Sequence, residues 1–166
     1  MNGYSHVHVF PEAAKIFLAM AQSIVEVLPE QDDLRCHEVA RVVAKWVSRR
    51  LSQIQVIEGI PGFGPVWPDE QPGGGKRMYV VDGSYGMPNG PRIEHSWLMT
   101  RFYCAEQQWW MVVLIDPYTV GRLPPVQMLD TGMELAGMYW GGPVRTDIRR
   151  DEIERLVVGA EAKLLG

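Results

Sequence analysis

Apolar positions recur at helical spacing near the start of the chain, where Ala14, Phe17, Ala21, Ile24, Val25 and Leu28 form one stripe. Pro11 suits a first helical position, so the pattern predicts a core helix from Pro11 to Leu28. Pro29-Glu30-Gln31 breaks it, and Asp32 or Asp33 is available to cap a second helix that runs to about Ser52. Val39, Val42, Val43, Trp46, Val47 and Leu51 make the buried side of that helix, and Cys36 falls in its first turn. Ten glycines and prolines between Gly59 and Gly75 then predict a surface loop. Beyond it the pattern becomes that of strands. Arg77 to Asp82, Ile93 to Cys104 and Gln108 to Asp116 are expected to build an antiparallel sheet, the last two being dense in aromatic and β-branched residues. A connection through Pro124-Pro125 and Gly141-Gly142-Pro143 leads to a final helix from about Asp147 to Leu165. No repeat, low-complexity tract or linker divides the chain, which predicts one α+β domain over residues 1–166.

The last two strands read as a hairpin whose loop length decides what meets across it. A two-residue turn at Ala105-Glu106 sets His95 directly opposite Asp116. A four-residue loop, Ala105 to Gln108, shifts the register by two and leaves them diagonal neighbours on one face, near hydrogen-bonding reach. An odd loop length separates them. The turn carries neither Asn-Gly nor glycine, so both even lengths stand.

Composition narrows the chemistry. A chain of 166 residues, 46% apolar and 22% charged, can bury a core without disulfides or metals. The net charge of -4, with no Lys/Arg cluster denser than Arg49-Arg50 and Arg149-Arg150, argues against a nucleic-acid partner. Met1 to Phe10 lacks a basic region followed by an apolar run, and no apolar stretch approaches the roughly 18 residues of a membrane span. No membrane partner is therefore expected, and the expected location is cytoplasmic. Cys36 and Cys104 are too few for a disulfide framework, and both are expected to be free thiols. His6 and His8 alternate near the N-terminus, but their spacing with Cys36 or His37 matches no zinc signature, so no metal or other cofactor is expected.

The candidate chemistry is the ordered trio Cys36, His95 and Asp116. A thiol becomes a useful nucleophile when a base removes its proton and a third group holds that base. The first turn of a helix lowers a thiol's pKa through exposed N–H groups and the helix dipole. His37, next to Cys36, is rotated about 100° around the helix from it and is a poor base candidate. Each member has a structural alternative: Cys36 as core packing, His95 as a hydrogen-bonded strand histidine, and Asp116 before Pro117 as a strand-ending turn.

The trio sits in Leu34-Arg35-Cys36-His37-Glu38-Val39-Ala40, Glu94-His95-Ser96-Trp97-Leu98 and Val113-Leu114-Ile115-Asp116-Pro117. Over roughly Asp32 to Thr119 this arrangement resembles the transglutaminase-like branch of the papain-like cysteine enzymes. That branch commonly has a His-Ala/Ser-Trp strand followed by one ending in Leu/Ile-Asp-Pro-Thr. The chain departs from the pattern in having no Gly, Trp or Tyr near the cysteine, and Tyr118 between Pro117 and Thr119. The resemblance implies a papain-like fold, N-terminal helices on an antiparallel sheet with a C-terminal helix, and a cysteine hydrolase of amide bonds in a protein or peptide substrate. It also implies that Cys36 attacks, His95 moves the proton, Asp116 fixes the imidazole, and the Cys36 N–H is the first oxyanion donor, with Gln31 a candidate second. Trp97 and Trp109 or Trp110 are candidate walls of a substrate cleft, with core packing as the alternative. The loops Gly59 to Gly75 and Gly83 to Pro91 are placed to carry specificity.

Two further classes keep the same shell. The run Arg35-Cys36-His37-Glu38 also resembles arylamine N-acetyltransferases, so acyl or amine transfer is one alternative. A non-catalytic binding protein with an unreactive Cys36 is the other. An open, wet cleft favours hydrolysis, whereas a dry aromatic tunnel favours transfer.

Overall fold

A computed structural model describes residues 11–29, 35–51, 54–60, 76–87, 89–104, 108–118, 126–130 and 134–165. In chain order these residues form α1 (Glu12–Val27), α2 (Cys36–Arg50), β1 (Ile54–Ile60), β2 (Lys76–Gly86), β3 (Arg92–Cys104), β4 (Trp109–Asp116) and β5 (Gln127–Asp130). A short 3-10 turn (Glu134–Met138), β6 (Tyr139–Gly141) and α3 (Arg150–Leu165) complete them. The class is α+β, with the first two helices, a central sheet and a C-terminal helix arranged as the pattern predicts.

The stripe on α1 does what its spacing dictates: Ala14, Phe17, Ala21 and Ile24 are fully buried. Phe17 meets Phe102 of β3 edge to face at 5.8 Å, which ties this helix to the sheet. Pro11 stands just before the helix rather than at its first position. Helix α2 ends at Arg50, two residues short of the expected Ser52, and is buried nearly all round, with eleven of its fifteen residues inside. That includes His37, Glu38 and Arg41, which an apolar stripe does not register. The N-cap is Arg35, and the expected caps Asp32 and Asp33 lie outside the described residues. Helix α3 begins at Arg150, later than Asp147, and Ile153, Leu156, Val157 and Ala160 face the core.

The sheet departs from the antiparallel expectation. Strands run in the order β1-β2-β3-β4-β5, and every pairing is antiparallel except β1 with β2, which is parallel over Ile54–Ile57. The sheet is therefore mixed. Strand β1 occupies the residues between the expected helix end at Ser52 and the expected loop, together with the first two of that loop, and residues 61–75 supply enough chain for the crossover a parallel pair needs. Strand β6 joins the same edge of β2 beyond β1, pairing Gly83 to Tyr85 antiparallel. Strands β5 and β6 replace part of the expected proline-bearing connection, and Gly83 to Gly86 belong to β2 rather than to a loop.

The hairpin takes the four-residue loop. Leu98 pairs with Ile115 and Cys104 with Trp109, leaving Ala105 to Gln108 between the strands. Gln108 adopts φ 57°, the left-handed conformation that glycine would ordinarily supply. His95 and Asp116 are thus diagonal neighbours.

The sheet separates two cores. Met78, Val80, Leu98, Phe102, Met111, Val113 and Ile115 face the helices. Tyr79, Val81, Trp97, Met99, Leu114, Leu129 and Tyr139 pack on the opposite side. Alternation along β3 therefore sends Ser96 to the helix side and His95 to the other. No helix among the described residues is long and apolar enough to cross a membrane.

Gly83 pairs with both His95 and Gly141, and a Cβ built there would lie 2.0 Å from the Trp140 carbonyl oxygen and 2.9 Å from the Trp97 ring. Gly83→Ala is expected to cost about 1–3 kcal/mol of stability by forcing β6 from β2. Urea unfolding checks this, and a wild-type transition would contradict so tight a contact.

Candidate functional site

Cys36 is the first residue of α2, so the helix delivers its thiol at the N-terminal end. No side chain among the described residues caps this start, and the first helical bonds run from the Glu38 and Val39 N–H groups to the Arg35 carbonyl. The amides of Cys36 and His37 precede those bonds and point out of the helix end. Sγ lies 3.9 Å from the main-chain oxygen of Glu94, against the strand at the residue before His95.

His95 and Asp116 are both almost wholly buried, at 2% exposure each. His95 Nε2 and Asp116 Oδ2 are 2.7 Å apart. Asp116 Oδ2 also accepts from the Tyr139 hydroxyl at 2.6 Å, and Oδ1 accepts from the Tyr118 N–H at 3.0 Å. One carboxylate thus closes the Asp116-Pro117-Tyr118 turn and holds the imidazole, so the structural and functional readings of this residue coexist.

With Nε2 committed to Asp116, Nδ1 is the nitrogen left for the thiol. It is buried and makes no hydrogen bond of ordinary geometry among the described residues. Cys36 nonetheless lies near enough for the two groups to alter each other's proton affinity. Burial pushes the Cys36 thiol up, but the nearby His95 and His37 imidazoles outweigh it, and the thiol falls to about 6. Burial pushes His95 down, yet Asp116 and the thiolate hold its proton and raise it to about 9. Both shifts favour a thiolate and an imidazolium over the neutral pair at neutral pH.

His37 does not point away as expected. Its Nδ1 is 3.6 Å and its Nε2 3.9 Å from Sγ, and Nδ1 is 2.7 Å from Ser96 Oγ. The angle between neighbouring residues on a helix governs where their Cβ atoms point, and a hydrogen bond to Ser96 turns this longer side chain back beneath the sulfur.

Trp97, expected at a cleft wall, is fully buried in the second core, packed edge to face on Tyr139 at 5.2 Å and stacked by His95 at 6.2 Å. It braces the imidazole and offers substrate no surface. Gln31 lies outside the described residues, as do His6 and His8, and the side chains of Trp109, Trp110 and Cys104 are not described. Among the described residues no group of three or more His, Cys, Asp or Glu is arranged to hold a metal ion.

Sequence reasoning missed Tyr139, which anchors Asp116 from β6, a strand of three residues with no pattern of its own. It also missed the charges around the helix start. Glu38 is fully buried yet bonded by Arg35 at 2.6 and 2.7 Å and by Arg149 at 2.7 and 3.2 Å. Burial pushes the Glu38 carboxyl up, and these guanidiniums bring it below the usual range. Arg35 and Arg145 also share Asp147, and Arg145 reaches Glu94 at 3.1 Å, joining the segment before α3 to the strand that carries His95.

Comparison with known proteins finds no matching family model, curated protein or solved structure.

The His95 imidazole is expected to titrate near 9 in the wild type, and Asp116→Asn to lower that midpoint by about one pH unit or more. Imidazole resonances followed by NMR across the alkaline range check both values.

Proposed function

We propose that the protein is a cysteine-dependent hydrolase of peptide, isopeptide or side-chain amide bonds, built on a transglutaminase-like variant of the papain-like fold. The observation that carries this reading is the buried 2.7 Å bond from His95 Nε2 to Asp116 Oδ2. It leaves the other imidazole nitrogen to a thiol at a helix start. A helix opening on the cysteine, followed by adjacent strands bearing the histidine and the aspartate, supports the fold assignment.

In this reading the Cys36 thiolate attacks the amide carbonyl and forms a carbon–sulfur bond, while the carbonyl electrons move onto oxygen. The Cys36 main-chain N–H at the helix start donates to that oxyanion. His95 gives its proton to the leaving nitrogen, the carbon–nitrogen bond breaks, and a thioester remains. His95 then takes a proton from water as the water oxygen attacks the thioester. Collapse of that adduct releases the acid product and returns Cys36 as a thiolate beside a protonated His95. Asp116 keeps the imidazole in one tautomer and orientation throughout, and Tyr139 and the Tyr118 amide keep Asp116 in place.

One observation favours a second reading, acyl transfer to an amine by the same three residues. Tyr85 and Tyr139 pack against His95 at 5.9 and 6.1 Å, Trp97 stacks on it, and the thiol itself is only 8% exposed. Such dry aromatic surroundings disfavour water as the second nucleophile.

Activity on amide or thioester probes is expected to rise through about pH 6 and to fall above about pH 9, following the thiolate and the imidazolium. Cys36→Ala is expected to fold normally and to lose at least about a thousandfold in rate. Retained turnover in Cys36→Ala would exclude the mechanism. Adding hydroxylamine to the reaction separates the two readings, because a hydrolase yields mainly the acid and a transferase mainly the hydroxamate.

A further inference from the structure

We infer that the buried chain His37, Ser96, Asp82 and Arg41 is a second support for the nucleophile, in which His37 is a positioning residue that holds the sulfur beside its ring without acting as its base. This rests on the reading of Cys36 as the nucleophile. All four members are inside the protein, with exposures of 5%, 0%, 0% and 1%. His37 Nδ1 lies 2.7 Å from Ser96 Oγ, and Ser96 Oγ donates to Asp82 Oδ1 at 2.6 Å. Arg41 grips Asp82 with both terminal nitrogens at 3.1 and 2.8 Å, and its Nη1 also donates to the His37 carbonyl oxygen at 3.0 Å. The chain therefore closes on itself through the first turn of α2.

Hydrogen counting fixes the direction of each bond. Ionised Asp82 only accepts, so the single hydroxyl hydrogen of Ser96 goes to it. Ser96 Oγ is then an acceptor towards His37, and the Nδ1 proton of His37 is committed there. The sulfur is nearly equidistant from Nδ1 and Nε2, at 3.6 and 3.9 Å. Those nitrogens flank Cε1, so the sulfur stands beside that carbon or over the ring, far from the axis along which either nitrogen would exchange a proton. His37 touches the reacting atom yet is aligned for no transfer. It limits where Sγ can sit and places a polarised ring against the thiolate.

The ionisable groups adjoining this chain come from every element packed on it. They are Cys36 and Arg41 on α2, Asp82 on β2, Glu58 on β1 at 4.0 Å from Arg41, and His95 on β3 through the thiol. The Arg145 amide donates to Asp82 at 3.1 Å from the segment before α3. Glu38 turns away to Arg35 and Arg149. His37 is thus held beside the thiol by a buried network in which Ser96, Asp82 and both terminal nitrogens of Arg41 are bonded, while Arg41 Nε makes no hydrogen bond among the described residues.

The test is iodoacetamide labelling of Cys36 as a function of pH, read by peptide mass spectrometry on the intact chain, with folding followed by circular dichroism. Ser96→Ala deprives His37 of its acceptor and is expected to slow labelling near pH 6 by about tenfold and to move the profile to higher pH, with the fold retained. A folded Ser96→Ala with the wild-type profile would overturn the proposal. If Ser96→Ala does not fold, His37→Asn decides, because its amide keeps a donor for Ser96 but removes the ring beside the sulfur. Slower labelling in folded His37→Asn supports the proposal and an unchanged profile overturns it. His95→Ala, run alongside, separates this from the catalytic reading. If wild-type Cys36 labels like an ordinary thiol and His95→Ala changes nothing, the triad falls and the support falls with it.

Discussion

The paired charges of Arg41 and Asp82 fix α2 to the sheet, and everything at the start of that helix depends on them. A buried ion pair repays its loss of water only when its remaining donors and acceptors are also used. Asp82 meets that condition closely: its two oxygens take both Arg41 nitrogens, the Ser96 hydroxyl and the Arg145 amide. One carboxylate thereby joins α2, β2, β3 and the segment before α3. Removing either partner would leave the other charged and unpaired inside the protein, a far larger cost than the pair contributes. A second set of links fastens the outer side of α2, where Lys45 and Arg49 reach Glu154 and Glu161 on α3.

With the helix held, a single step along β3 divides the environment of Cys36 between the two faces of the sheet. His95 belongs to the side carrying Asp116, Tyr139 and Trp97, where proton affinity is set by a carboxylate within 2.7 Å. Ser96 belongs to the helix side, where it commits the Nδ1 proton of His37. The two histidines beside the thiol, His95 on β3 and His37 on α2, therefore have different capacities from local bonding alone. One has a free nitrogen near the sulfur and a charge-stabilising partner behind it. The other has its proton spent and its ring turned side-on. The burial that would disfavour a thiolate is overcome only because cationic and hydrogen-bonding groups are gathered at the same point.

Much of this was legible in the chain wherever a long periodic signal existed. Phe17 and its stripe on α1, and Val39, Val42, Val43, Trp46 and Val47 on α2, lie inside as their spacing requires. The hairpin also obeyed its arithmetic, though Gln108 takes a left-handed turn position that no glycine announces. The parallel strand β1 was hidden because seven residues between a helix end and a glycine-rich stretch carry no clear alternation. Strands of four and three residues at β5 and β6 were too short for any period, and with β6 went Tyr139, whose hydroxyl completes the setting of Asp116. Glu38, Arg41 and Asp82 were missed for a different reason. Charge normally marks a solvated face, and only the three-dimensional pairing shows that here it marks the inside. Trp97 illustrates the converse: an aromatic residue next to a candidate histidine serves the core beneath it.

The proposed chemistry requires Cys36, at the start of α2, to rest as a thiolate because His95 rests as an imidazolium. Ultraviolet absorbance of the thiolate, measured against pH as wild type minus Cys36→Ser, tests it most directly, with His95→Ala treated in the same way. A midpoint near 6 is expected in the wild type, with a move towards the ordinary thiol value of about 8.5 in His95→Ala. A wild-type midpoint already at the ordinary value, or one that His95→Ala leaves in place, would contradict that chemistry.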